Sequence, residues 1–172
     1  KGVVKLGSKS YGFVFDTVPE EKKEDVKEGE TEVKLDANLK EQNYARLFFD
    51  LDGNGELTDD EVIESTPLRG YRPNPSYIRT QFPATDLTID IDGAEQKYAF
   101  SAYVYSRAYK SANNEFVYSN AAFTAASCLE GEMTIAGKKH HVVVVDYNTN
   151  GCFDDQTEVR ARGSGPAYPT TG

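Results

Sequence analysis

The sequence predicts a mainly β protein, an antiparallel sandwich or barrel with one short helix. Three observations lead there. Short runs of aromatic and β-branched residues alternate with polar ones, the period of a half-buried strand. Turn signals containing Gly7, Gly93 and Gly137 separate such runs. The composition, with 11 Tyr, 9 Phe and no Trp within 38% apolar residues, suits a folded β-rich chain better than disorder. At 172 residues the chain fits one domain with a substantial core. We place that domain at residues 1–162, with residues 163–172 as an extended tail.

In order, Val3–Leu6 and Tyr11–Asp16 flank a Gly turn and predict a hairpin. The charge-dense stretch from Pro19 to Lys34 reads as a solvated loop or short helix. Ala45, Leu47, Phe49 and Leu51 recur with period two, which predicts a strand feeding residue 50. Thr58-Asp-Asp-Glu61 has the spacing of a capping box, so a short helix is expected from Asp59 to about Ser65, stopped by Pro67. Residues 66–84 carry Pro67, Pro73, Pro75 and Pro83 with Arg69, Tyr71, Arg72 and Tyr77, an irregular connection with the makings of a binding surface.

Strands resume at Leu87–Ile91, turn at Asp92-Gly93, and continue through Tyr98–Tyr105, whose large aromatics are expected on one side. Glu115–Tyr118 reads as a short strand, and Ala121–Leu129 is small and apolar. Glu132–Ile135 and His140–Val145 flank a turn at Ala136-Gly137, and the four-valine run predicts a strand buried on both faces. A faint repeat links the ends: Gly7 precedes Asp16, and Gly137 precedes Asp146, by nine residues each.

The sharpest signal is Asp50-Leu-Asp52-Gly-Asn54-Gly55-Glu56-Leu-Thr58-Asp-Asp-Glu61. Oxygen-bearing side chains stand at the first, third and fifth places, glycine at the sixth and glutamate at the twelfth. The stretch resembles the EF-hand calcium loop throughout its length. That resemblance implies Ca²⁺ held by Asp50, Asp52, Asn54, the Glu56 carbonyl, Thr58 directly or through water, and a bidentate Glu61. Hard cations need six to eight such oxygens. The residues before the loop have strand rather than helix spacing, so a sensor-type helix pair is not expected.

A second, looser stretch runs Asp146-Tyr-Asn148-Thr-Asn150-Gly-Cys152-Phe-Asp154-Asp155. It resembles thrombospondin type 3 and dockerin-like calcium loops, and strand-fed loops of secreted bacterial proteins. The likeness implies a second Ca²⁺ site from Asp146, Asn148, Asn150, the Cys152 carbonyl, and Asp154 or Asp155. The twelfth place is Thr157, so the glutamate cap is missing or supplied otherwise.

The two cysteines are Cys128 and Cys152. With a hairpin turning near Gly137, regular pairing sets residue 128 opposite about residue 146. A loop curling back from there would bring Cys152 alongside, and a Cys128–Cys152 disulfide is the reading we favour over two separate thiols. Closing about 25 residues, it would contribute roughly 3 kcal/mol.

Twenty-eight acids against 19 bases give a net charge of −9, which argues against nucleic acid and anionic membrane as partners. No run of about 18 apolar residues exists to span a bilayer. His140 and His141 are neighbours on a strand and face opposite sides, so they cannot share one metal. No nucleophile elbow, P-loop, or zinc-type spacing occurs, and no carboxylate pair stands out. The chain begins without Met, as after removal of a leader. Together these lead us to expect a non-enzymatic, secreted, extracellular or cell-surface module. Ca²⁺ would staple its loops within a surface, matrix or filament assembly, with self-association or other surface proteins as partners. The alternative is a glycan- or ligand-binding module using the Tyr-rich strand.

Overall fold

The computed structural model describes residues 1–17, 44–66, 76–110, 115–157 and 169–170. The charge-dense segment 19–34, residues 67–75 and most of the tail therefore lie outside the described residues.

Two antiparallel sheets make the body. The first has the order β1-β2-β3-β4, from β1 (Gly2–Leu6), β2 (Lys9–Thr17), β3 (Tyr44–Phe49) and β4 (Ile63–Glu64). The second has the order β5-β6-β7, from β5 (Tyr77–Ile91), β6 (Ala94–Lys110) and β7 (Glu115–Ala125). Their inner faces interdigitate. Leu6, Tyr11, Leu47 and Phe49 of the first sheet share a core with Phe82, Ile89, Tyr98 and Phe100 of the second. Phe49 and Phe100 rings lie 4.5 Å apart, and Phe13 meets Phe123 edge-on at 4.9 Å. Such aromatic pairs contribute about 0.5–1.5 kcal/mol each beyond the area they bury.

The period-two reading of β3 holds, since Leu47 and Phe49 are fully buried. Expected one-sidedness of the aromatics in β6 does not. Tyr98, Phe100, Ala102 and Val104 point inward, while Tyr103 and Tyr105 belong to the outer face. On the neighbouring strand the register slips between Phe82 and Thr85, where Pro83 sits. A bulge accepts a residue without an N–H and changes strand parity, so Phe82 and Leu87 both reach the core. Residues 115–125 form one continuous strand rather than a short strand and a separate apolar stretch.

The expected helix after residue 58 is absent. Residues 57–60 form bends, residues 61–62 are irregular, and Ile63–Glu64 then pairs antiparallel with Arg46 and Leu47 as β4. Burying Ile63 at the edge of β3 outweighs the local capping signal.

A third unit stands apart. β8 (Cys128–Ile135) and β9 (Lys138–Val145) form a two-stranded hairpin around an Ala136-Gly137 turn, both residues at positive φ. The four valines were expected to be buried on both faces. Instead Val143, Val144 and Val145 are exposed, because no further strand covers the hairpin among the described residues. A short ladder of β10 (Gln156–Thr157) and β11 (Pro169–Thr170) completes the description.

Candidate metal centre

Residue 50 follows β3 directly, and its N–H donates to the Gly12 carbonyl of β2 at 3.0 Å. The loop therefore starts from a fixed point. Asp50 is 2% exposed. The chain then folds its own acceptors inward. Gly55 N–H donates to Asp50 Oδ2 at 3.1 Å, Asn54 N–H to Asp52 Oδ1 at 3.0 Å, and Glu56 N–H to Asn54 Oδ1 at 2.7 Å. Gly53 and Gly55 take positive φ, a conformation that favours glycine.

This curl gathers Asp50, Asp52 and Asp60, with one carboxylate oxygen of each within 4.8 Å of the others. Asp50 Oδ1 and Asp60 Oδ2 are buried and accept no hydrogen bond. Buried carboxylate oxygens without a donor are costly, and a hard cation is the chemistry that satisfies them. Asp60 feels this directly. Burial, then the charges of Asp52, Asp59 and Asp50, push its carboxyl above the ordinary range, partly offset by the Leu51 N–H it accepts at 3.1 Å.

The other sequence-named groups sit as follows. Asn54 turns its amide toward Asp52 and Asp59. Glu56, Thr58 and Glu61 are exposed, and Glu61 is not in the triad. Sequence reasoning missed Asp60, the eleventh residue of the loop.

The second loop repeats the skeleton. Gly151 N–H donates to Asp146 Oδ2 at 2.8 Å, Asn150 N–H to Asn148 Oδ1 at 2.9 Å, and Cys152 N–H to Asn150 Oδ1 at 2.7 Å. Asp155 takes the place that Asp60 holds in the first loop, accepting the Tyr147 N–H at 2.6 Å. The difference lies in saturation. Asp146 also accepts the Tyr98 hydroxyl at 2.7 Å and Asn150 N–H at 3.2 Å, and Asp155 accepts both donors of Asn148. No group of three carboxylates converges there among the described residues. Asp154 is exposed.

The disulfide expectation is corrected. Cys128 and Cys152 are free thiols. The register places Cys128 opposite Val145, close to expectation. The loop, however, carries Cys152 among Asp154, Asp146, Asp92 and Asp155, and burial followed by those charges pushes its thiol above the ordinary value. Both histidines are exposed, with His141 Nε2 3.5 Å from Glu130.

Compared with known protein families, curated proteins and solved structures, the chain matches none.

Proposed function

We propose that this is a non-enzymatic extracellular module in which Ca²⁺ staples the first loop, serving as a subunit of a cell-surface, matrix or filament assembly. The observation that carries the calcium reading is the pair of donorless buried oxygens on Asp50 and Asp60, two residues whose carboxylates cluster with that of Asp52. The acidic, all-oxygen donor set favours a hard divalent cation over zinc or copper. Main-chain carbonyls, Asn54, Thr58, a swung-in Glu61 and water would complete the shell. The second loop would bind more weakly, because Tyr98 and backbone donors already occupy Asp146.

Calorimetric titration of the metal-free protein with Ca²⁺ tests this. Expected is one tight site, lost in Asp50→Asn, together with a rise in melting temperature that EGTA reverses. No heat and no thermal shift would end the calcium reading.

A second reading rests on one surface. Arg79 lies over the Tyr103 ring at 5.1 Å, and both border an open groove of about 430 Å³ with Tyr105, Tyr118 and Asn120. Aromatic faces beside an arginine and an amide suit a sugar ring carrying a carboxylate. Retention of the protein on an acidic polysaccharide, lost in Tyr103→Ala, would favour it.

A further inference from the structure

The groove at Arg79 is one end of a longer feature. Side chains of a strand alternate between faces, so Tyr103, Tyr105, Arg107 and Tyr109 follow one another along the outer face of β6. Each meets a ring or a guanidinium. Arg79 lies over Tyr103 at 5.1 Å, and the Tyr77 ring is 5.6 Å from that of Tyr105. Arg107 lies over Tyr109 at 4.9 Å, and Tyr109 stacks on Phe116 at 5.3 Å. Tyr103 and Tyr109 are six residues apart, about 20 Å along an extended strand. The stripe therefore has an arginine–aromatic station at each end and a pair of tyrosine rings between. Tyr109, Phe116 and Tyr118 stay well exposed.

Charge narrows what the stripe can hold. The chain carries −9, yet residues 77–81, 101–109 and 116–124 contain two arginines and no acid. The acids of β5 and β6, which are Asp86, Asp90 and Glu95, all lie beyond the bulge at the other end of the ladder. Arg79 and Arg107 are exposed, and neither forms an ion pair with a described acid. A positive, aromatic strip on an acidic protein complements a ligand with widely spaced anions and flat apolar faces. The tyrosine hydroxyls and the amides of Gln81 and Asn120 add partners for neutral hydroxyl groups.

Other polyanions match less well. Nucleic acid carries a phosphate at every nucleotide and needs a continuous basic track, whereas the rings under these two arginines are about 20 Å apart. An acidic peptide would draw on backbone pairing, and β6 is already paired on both sides, with β5 and β7. A chain of sugar rings with carboxylates at intervals meets every feature of the stripe.

We infer that the stripe from Arg79 to Tyr109 binds a carboxylate-bearing polysaccharide lengthwise, with sugar faces on the tyrosines and a carboxylate at each arginine. The inference rests on the glycan reading above and deepens it from one ring in a groove to a chain held at two stations. It is independent of the calcium and assembly readings.

Titration calorimetry of the full chain with hyaluronan and oligogalacturonate fragments of increasing length tests it. Affinity should rise about tenfold once a fragment spans both stations, because the second is then met at high effective concentration. Binding should weaken with salt. Arg107→Gln combined with Tyr109→Ala should remove the gain with length and leave disaccharide affinity, set by the groove, unchanged. Arg79→Gln should weaken fragments of every length. Equal affinity for short and long fragments would overturn the two-station inference and leave the groove reading standing. No binding of any acidic fragment would overturn both. Tighter binding of single-stranded DNA, polyglutamate or neutral chito-oligosaccharides of equal length would overturn the choice of ligand. Should the double variant lose its circular dichroism, Arg107→Gln alone carries the comparison, and a length gain that survives it counts against the second station.

Discussion

The Tyr98 hydroxyl donates to Asp146 Oδ2 at 2.7 Å, joining the first part of β6 to the first residue of a loop 48 positions later. Burial first, then this bond and the charge of Asp146, push the phenol far above its ordinary value, so its proton stays on the ring oxygen. The first loop has a related arrangement: Tyr11, wholly buried, stands near Asp50, and burial followed by the charges of Asp50 and Asp90 raises its phenol too. Each loop thus begins with a buried aspartate beside a core tyrosine.

Tyr98→Phe removes the donor and keeps the ring. It should cost about 1–3 kcal/mol, the range for leaving a buried acceptor short of a partner. Urea unfolding reads this directly. If Asp146 binds a cation instead of the hydroxyl, the loss should shrink when Ca²⁺ is added.

Asp60 makes the stability of the metal-free protein depend on pH. Its folded pKa is raised above the ordinary 3.8, so the folded state holds more protons than the unfolded chain just above that value. The contribution of Asp60 is therefore fully present below 3.8 and is lost as pH rises through the raised value. Thermal melts in EGTA should show this decline, and Asp60→Asn should flatten it. With Ca²⁺ present the trend should reverse, since the cation binds the ionised form.

Asp60→Asn and Glu61→Gln separate the structural triad from the loop resemblance. Removing the charge of Asp60 should weaken Ca²⁺ at least tenfold, because its carboxylate clusters with those of Asp50 and Asp52 and keeps one buried oxygen without a donor. Glu61, exposed beside Val62, should cost less. Isothermal titration of both variants decides the order.

Two glycines with positive φ should respond differently to alanine. At Gly137 a Cβ meets open space, so the cost is the backbone term of roughly 1–2 kcal/mol. At Gly151 a Cβ would lie 2.7 Å from the Gly7 nitrogen and 2.8 Å from Ile89 Cδ1, and the loss should exceed that range. Denaturant midpoints of Gly137→Ala and Gly151→Ala test the ranking.

The cysteines should react in a fixed order. Cys128 is exposed, while Cys152 is half-buried with its thiol pKa raised. Thiolate is the reactive form. Timed alkylation followed by peptide mass spectrometry should label Cys128 first, with no disulfide-linked peptide.

Where local pattern and tertiary packing agree, the sequence was readable. Leu47 and Phe49 recur with period two because one face of β3 meets the core, and the aspartates that open both loops sit at strand ends. Asp60 was hidden because its place depends on how ten residues curl until the Leu51 N–H captures it. The capping-box spacing at Thr58 was real but lost to the pairing of Ile63 with Leu47. Four valines in a row record apolar character, and whether they are buried depends on a neighbour the pattern cannot supply. For the cysteines the register came out close, whereas the direction of Cys152 followed from hydrogen bonds inside its own loop.

Gly7 N–H donates to the Asn150 carbonyl at 2.6 Å, and Gly151 fits against Leu6, Gly7 and Ile89. The tip of the first hairpin is therefore locked by residues from the far end of the domain. During synthesis that hairpin emerges early and waits for the second loop before its turn is seated. Contacts of such sequence separation slow folding. Until residues 150 and 151 arrive, the Gly7 N–H has no Asn150 carbonyl to meet, so the turn of the oldest hairpin is among the last parts of the fold to be seated.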